Sequence, residues 1–137
     1  MRILIDTNVV LDVLGNRKEF YEDSFSALKA VYENHTPCVS TTTITDVIYL
    51  SKKFFESGEK QKIGLSQFFS DFKILPVTKK QIKQAFSSPM KDFEDAVQAF
   101  CAKKAGAKLI ITRNTKDYAL SPVKAITPAD FLKMRQM

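Results

Sequence analysis

Residues 1–12 read "MRILIDTNVVLD", and the reading of this stretch decides the fold. Ile3, Leu4 and Ile5 predict a buried β-strand. Asp6 interrupts the apolar run before Val9, Val10 and Leu11 resume it. An unpaired carboxylate beside a core strand is expensive to bury, so Asp6 must cap a helix, pair with a partner or hold a cation. The choice depends on what the rest of the chain brings to the same edge.

Outward from that strand the chain alternates. With Ile3–Ile5, strand-like runs lie at Cys38–Val39, Ile74–Val77, Leu109–Thr112 and around Val123–Ile126, separated by stretches of helical spacing. Such alternation predicts an α/β fold with a central, mainly parallel sheet of four to five strands. Phe25, Leu28, Val31 and Tyr32 mark the apolar stripe of a helix between Phe20 and Tyr32, and Ile44, Val47, Ile48 and Leu50 carry a second toward Phe54 and Phe55. Ile63, Leu65, Phe68, Phe69 and Phe72 suggest a third across Gly64, and Lys79–Phe86 a short fourth. Phe93, Val97 and Phe100 define the stripe of a helix that stops at Gly106. The tail "TPADFLKMRQM" predicts a terminal helix capped by Thr127 with Pro128 in its first turn.

The totals suit one domain spanning 1–137, with a hydrophobic core large enough to need no staples. Apolar residues make up 45% and charged residues 26%, ordinary values for a globular chain. No apolar run is long enough to cross a bilayer, and Asp6 arrives too early for a signal peptide, so no membrane association and a cytoplasmic location are expected. Cys38 and Cys101 are too few for a disulfide framework and read as buried thiols. Lys and Arg number 21 against 15 Asp and Glu, for a net charge of +6 and a pI near 9.3, which suits a polyanionic partner.

In a parallel sheet, residues just beyond the strands collect in one crevice. Asp6 ends the first strand. Asp46 falls in the first turns of the helix after "CVSTT", Asp95 opens a later helix, and Asp117 follows "LIITRNTK". Taken singly, each has an ordinary reading: Thr43 with Asp46, and Asp92 with Asp95, have capping-box spacing, and Asp6 or Asp117 could cap the helix that follows. Taken together, carboxylates on one rim repel each other and raise each other's pKa unless a cation sits among them. Oxygen donors without Cys or His favour Mg²⁺ or Mn²⁺ over zinc. His35, in "ENHTP", reads as a helix-end residue. No Ser/His/Asp or Cys/His constellation can be assembled, and no glycine-rich phosphate loop is present. What remains is metal-assisted chemistry, in which the ion lowers the pKa of bound water and the basic surface draws a phosphodiester toward it. Arg113 and Lys116, neighbours of Asp117, are the candidates for touching phosphate, whereas Lys103 and Lys104 read as solvated.

These residues resemble the PIN domain, the metal-dependent ribonuclease fold of VapC-type toxins. "LIDTNVVLD", "STTTITDVIYL" and "DFEDAVQAFCAKKAGAKLIITRNTKDY" match its three acidic segments over nearly the whole chain. The resemblance implies a three-layer α/β/α sandwich in which Asp6, Asp95 and Asp117 bind metal, with Asn8 ordering the first turn. Asp46 takes the place where the family more often has Glu; its reach is shorter by about 1.5 Å, one carbon–carbon bond, so it is expected to bind through water or to weaken the site. Thr112 and Asn114 would serve the metal's water shell, and Asp92 is either a helix cap or an outer ligand. The resemblance further implies hydrolysis of RNA to 5′-phosphate and 3′-hydroxyl ends, a homodimer paired through early helices, and a small antitoxin that blocks the acidic groove. The phenylalanines of "LSQFFSDF" and "SKKFF" are divided between core packing and such a protein surface.

Three rival readings meet the same pattern. A phosphatase of the haloacid dehalogenase type needs an Asp two residues after the first, where this chain has Asn8, and a response-regulator receiver needs an Asp that "KILPVTKK" does not supply. The third is a catalytically inactive PIN scaffold that binds RNA or protein, a reading kept open by Asp46.

Overall fold

The computed structural model describes residues 1–135. Five strands form one sheet: β1 (Arg2–Ile5), β2 (Thr36–Ser40), β3 (Lys73–Leu75), β4 (Leu109–Ile111) and β5 (Ala125–Ile126). They are ordered β3-β2-β1-β4-β5, and every neighbouring pair is parallel. Seven α-helices connect and flank them: α1 (Thr7–Leu14), α2 (Tyr21–Asn34), α3 (Thr41–Leu50), α4 (Gly58–Phe68), α5 (Lys79–Phe86), α6 (Phe93–Lys104) and α7 (Pro128–Arg135). The tail's last two residues, 136 and 137, lie outside the described range.

Alternation along the strands feeds two cores. Ile3, Ile5, Val39 and Ile111 face one side with buried residues of α1, α2, α4 and α7, while Leu4, Cys38 and Ile110 face the other with those of α5 and α6. This is the three-layer arrangement expected. From central β1 the chain moves outward through β2 and β3, then returns to β4 on the other side of β1. The reversal leaves a crevice beyond the ends of β1 and β4, where ligands bind in such sheets. Ile5 pairs with Ile111, so Asp6 and Thr112 emerge level with each other.

Local chemistry sets the ends of the helices that bear the site. Asp6 is extended and caps α1, its carboxylate accepting from the Thr7 amide. Asp92 caps α6 through the Asp95 amide at 2.9 Å. α6 ends before Gly106, whose φ of +72° explains the glycine. At α3 the cap is Ser40, accepting from the Thr43 amide, rather than the Thr43 expected from its spacing with Asp46. The strand thus runs directly into the helix, and Thr43 is buried within its first turn.

The expected stripes differ from the observed ones where aromatic spacing predicts a buried face. Phe25 and Tyr32 of α2 are exposed, and its buried face is Ser24, Ala27, Leu28 and Val31. Phe93 is 42% exposed and packs on Phe86, while α6 meets the sheet through Ala96, Val97, Gln98, Ala99, Cys101 and Ala102. Small residues let this helix lie close to the strands, leaving no room for the phenylalanines beneath it. The helix from Ile44 ends at Leu50 and gives way to a 3₁₀ turn at Lys52–Phe54. Ile63 is exposed, and Gly64 inside α4 has a packing reason: a Cβ there would stand 2.9 Å from the Phe55 ring. Phe69 is buried and Phe54, Phe55, Phe68 and Phe72 pack against the same core. Both cysteines are buried free thiols, and His35 ends α2, its amide donating to Val31.

Candidate active site

Asp6 lies where β1 passes into α1 and is 6% exposed. Its Oδ1 accepts from the Thr7 amide at 2.7 Å and from Gln98 Nε2 at 3.0 Å; its Oδ2 accepts from the Thr112 hydroxyl at 2.7 Å and from Asn8 Nδ2 at 3.3 Å. All four donors are neutral. Burial pushes the carboxyl above its usual range, opposed by these bonds, and among the described residues no cation pairs with it.

Asp95, in the first turn of α6, accepts from the buried Tyr118 hydroxyl at 3.2 Å. Desolvation first, then the charges of Asp6 and Asp92, push its carboxyl up to about 7; the Tyr118 bond opposes this and Asp117 adds to it. Glu94 is pushed up to about 8, chiefly by its hydrogen bond with Asp46, then by partial burial and the charges of Asp46, Asp92 and Asp95. The rim therefore joins Asp6, Asp92, Asp95 and Asp117 on one side to Asp46 and Glu94 on the other. Tyr118, buried and facing carboxylates, is held protonated and can only donate to them.

Thr112 is fully buried, and its hydroxyl also accepts from the Asn114 amide at 3.0 Å. Asn8 completes the turn: its Oδ1 accepts from the Arg113 amide at 3.3 Å. Asn114 enters through its backbone, with an exposed side chain, and Asp117 and Lys116 are exposed on the 3₁₀ turn Thr115–Tyr118 that follows.

Arg113 is placed differently from the expectation that it meets phosphate. Its guanidinium donates to both oxygens of Asp12, at 2.8 and 3.2 Å, and lies 3.8 Å over the Phe20 ring. Asp12 is 0% exposed, also accepts from Ser24 at 2.9 Å and has Arg17 at 3.6 Å. An acid buried in an apolar helix takes the nearest cation that the fold supplies.

The acids converge on one rim, but among the described residues no three His, Cys, Asp or Glu side chains form a group that could hold a metal ion. Neutral donors engage Asp6, Tyr118 engages Asp95, and Asp46 turns to Glu94. The donor chemistry fits a hard divalent cation nonetheless: all these groups are oxygen ligands, and the charges of neighbouring carboxylates add to burial in raising Asp95 and to the Asp46 hydrogen bond and burial in raising Glu94. Sequence reasoning passed over Glu94, Gln98, Tyr118 and Asp12. The run Asp92–Glu94–Asp95 signalled a third acid on α6, and a buried Asp12 within "VVLDVL" signalled a partner, but nothing linear named Gln98 or Tyr118 as neighbours of Asp6 and Asp95.

This chain has relatives in sequence and in fold. Over 136 residues the chain is 26% identical to Ribonuclease VapC1 of Aquifex aeolicus, covering 95% of this chain and 92% of that one. A toxin–antitoxin complex from Klebsiella pneumoniae contains a chain 26% identical, with a TM-score of 0.71 over 92% of this chain and 97% of that one. A chain of VapBC2 from Rickettsia felis, solved bound to a promoter DNA fragment, shares the fold with a TM-score of 0.72 over 93% and 98% of the two chains at 16% identity. The PIN domain family model matches residues 2–116, which takes in β1 through β4, every carboxylate of the rim except Asp117, and the Asp12–Arg113 pair. With the strand order, the acid at the exit of β1 and this match in agreement, the chain belongs to the PIN domain family.

Proposed function

We propose that this protein is a metal-dependent endoribonuclease, the toxin of a type II toxin–antitoxin pair. The observation that carries the reading is the uncompensated rim: Asp6 and Asp95 face each other through Tyr118, burial and then the charges of Asp6 and Asp92 raise Asp95, and among the described residues no basic side chain pairs with either acid. The similarity to Ribonuclease VapC1 supports an RNA substrate.

Asp6, Asp95 and Asp117 would hold Mg²⁺ or Mn²⁺, with Asp46 acting from the far side of the rim beside Glu94. When bound, the ion supplies an acidified water and a positive charge for the phosphoryl oxygens. Thr112 and Asn8 fix the Asp6 carboxylate. Asp92 caps α6 and so sets the height of Asp95. Tyr118 donates to Asp95 and leaves its second oxygen free. Exposed Lys116 is the basic group of the rim available to an RNA phosphate, since Arg113 is engaged by Asp12.

An antitoxin partner is supported by the toxin–antitoxin assembly in which the Klebsiella relative was solved. A groove of about 720 Å³ with Ile44, Ile48, Leu65, Phe69, Phe72 and Ile74 along it offers apolar surface for that partner or for a homodimer. Among the described residues no helix is long and apolar enough to cross a membrane, and we propose action in the cytoplasm.

The test is incubation with labelled single-stranded and structured RNAs in Mn²⁺, Mg²⁺ or EDTA, beside an Asp95→Asn variant. Cleavage that needs metal and is lost in the variant is expected. Absence of cleavage together with no metal-dependent gain in melting temperature would sink the nuclease and leave an RNA- or protein-binding PIN scaffold.

A further inference from the structure

α6 lies on the sheet through alanines and Val97, yet Gln98 in the middle of that face is 1% exposed. Burying an amide costs free energy unless both of its ends are bonded. Here both are. Nε2 donates to Asp6 Oδ1 at 3.0 Å, and Oε1 accepts from the Ser40 hydroxyl at 2.6 Å and from the Thr43 hydroxyl at 3.3 Å. Thr43 is in turn bonded to the Thr7 hydroxyl at 3.0 Å, which returns the chain of bonds to the residue after Asp6.

The partners fix which way the amide points. Asp6 accepts only, so Nε2 must face it, and the two hydroxyls then donate to Oε1. Ser40 ends β2 and caps α3, which carries Asp46; Asp6 ends β1; Gln98 sits three and four residues after Asp95 and Glu94 on α6. One side chain therefore touches Asp6, shares α6 with Glu94 and Asp95, and bonds both the cap and the first turn of the helix that carries Asp46.

We propose that Gln98 is a positioning residue: its amide sets the rotation of the Asp6 carboxylate and holds β1, α3 and α6 in the register that presents their acids to one cation. The inference rests on the nuclease reading. Gln98 does not itself reach the rim's open side, and it acts through Asp6. An apolar side chain of the same length would fill the space but leave Asp6 Oδ1 with the Thr7 amide alone and the Ser40 and Thr43 hydroxyls without their shared acceptor.

The variant Gln98→Met keeps length and volume and removes the amide. Substitutions behind metal ligands typically cost about 10- to 100-fold in metal affinity or activity. Gln98→Met is expected to fold, to lose kcat on RNA by that factor with KM within about twofold, and to bind Mn²⁺ correspondingly more weakly by calorimetry. Ser40→Ala, which leaves Oε1 with the Thr43 hydroxyl alone but spares the contact with Asp6, should fall between it and wild type. Val97→Ala, a buried change one residue away on the same helix, should lower the melting temperature while keeping kcat and Mn²⁺ affinity. A Gln98→Met protein with wild-type kcat and Mn²⁺ affinity, whatever its melting temperature, overturns the inference and leaves the nuclease reading intact. If the wild-type protein neither binds Mn²⁺ nor cleaves RNA, the nuclease reading fails separately. The carboxyl-carbon NMR signal of Asp6 in metal-free protein then decides for Gln98 alone: it must move in Gln98→Met and not in Val97→Ala, and an unmoved signal overturns the positioning role.

Discussion

Asp6 caps the start of a short helix and Asp12 lies in its last turn, six residues on; both are buried, yet they are solvated by opposite means. Asp12 has Arg113 across both oxygens, Arg17 nearby and Ser24 donating to it. Asp6 has four neutral donors, no cation among the described residues, and other carboxylates facing it. A buried charge whose countercharge is built into the chain is structural; one surrounded by dipoles and like charges is complete only with a countercharge from outside. The helix between them thus has a closed end and an open one.

The largest expected effect lies at the closed end. Asp12→Ala leaves Arg113 and Arg17 without their acid and should destabilise by about 3–5 kcal/mol in urea unfolding, the usual cost of breaking a buried pair. A loss below about 1 kcal/mol, the scale of an exposed pair, would break the contrast. At the open end the effect should fall on activity: Asp6→Asn is expected to cut RNA cleavage by about a hundredfold or more through misplacement of the ion, while costing only about 1 kcal/mol of stability.

Metal should act on one end alone. At a hundred times its Kd, Mn²⁺ should stabilise the wild-type protein by about 2.7 kcal/mol, and the gain should vanish in Asp6→Asn. Asp12 offers nothing to the ion, so a milder change there sharpens the comparison: Ser24→Ala removes one of its donors and should cost about 1 kcal/mol with the metal response unchanged.

The smallest effect is that of pH, because Asp95 is half-exposed and solvent screens it. Its folded carboxyl is raised from 3.8 to about 7, so between these values the folded chain holds a proton that the unfolded chain has released. Its contribution is full below about 4 and is lost as pH rises through about 7, so metal-free protein should melt more easily at pH 8 than at pH 5. Glu94, raised to about 8, extends the decline. Mn²⁺ replaces the proton, so its addition should help most at pH 8. Thermal melts at both pH values in EDTA and in Mn²⁺ read the sign.

Much of this was legible before folding. The apolar runs around Ile3, Leu109 and Val39 each stop at a polar residue, and a parallel sheet must gather those stops at one edge, so Asp6, Asp46, Asp95 and Asp117 could be named from the strand pattern and spacing. Capping failed at Thr43 because a strand running straight into a helix puts the cap at its own last residue, Ser40. The stripe of α6 failed because a helix packed closely on a sheet is selected for small side chains, which period counting discounts beside Phe93 and Phe100.

The sequence by itself determined the α/β alternation, the acids at the strand exits and the family to which the chain belongs, because these depend on patterns within a few residues and on the edge rule of parallel sheets. Only the tertiary structure decided how each acid is partnered. Arg113 lies 101 positions from Asp12, and Gln98 lies 92 from Asp6; no local pattern carries such distances. Whether a buried carboxylate meets a guanidinium or an amide is settled by which strands and helices are brought side by side, and that choice makes one acid a fastening and the other a site.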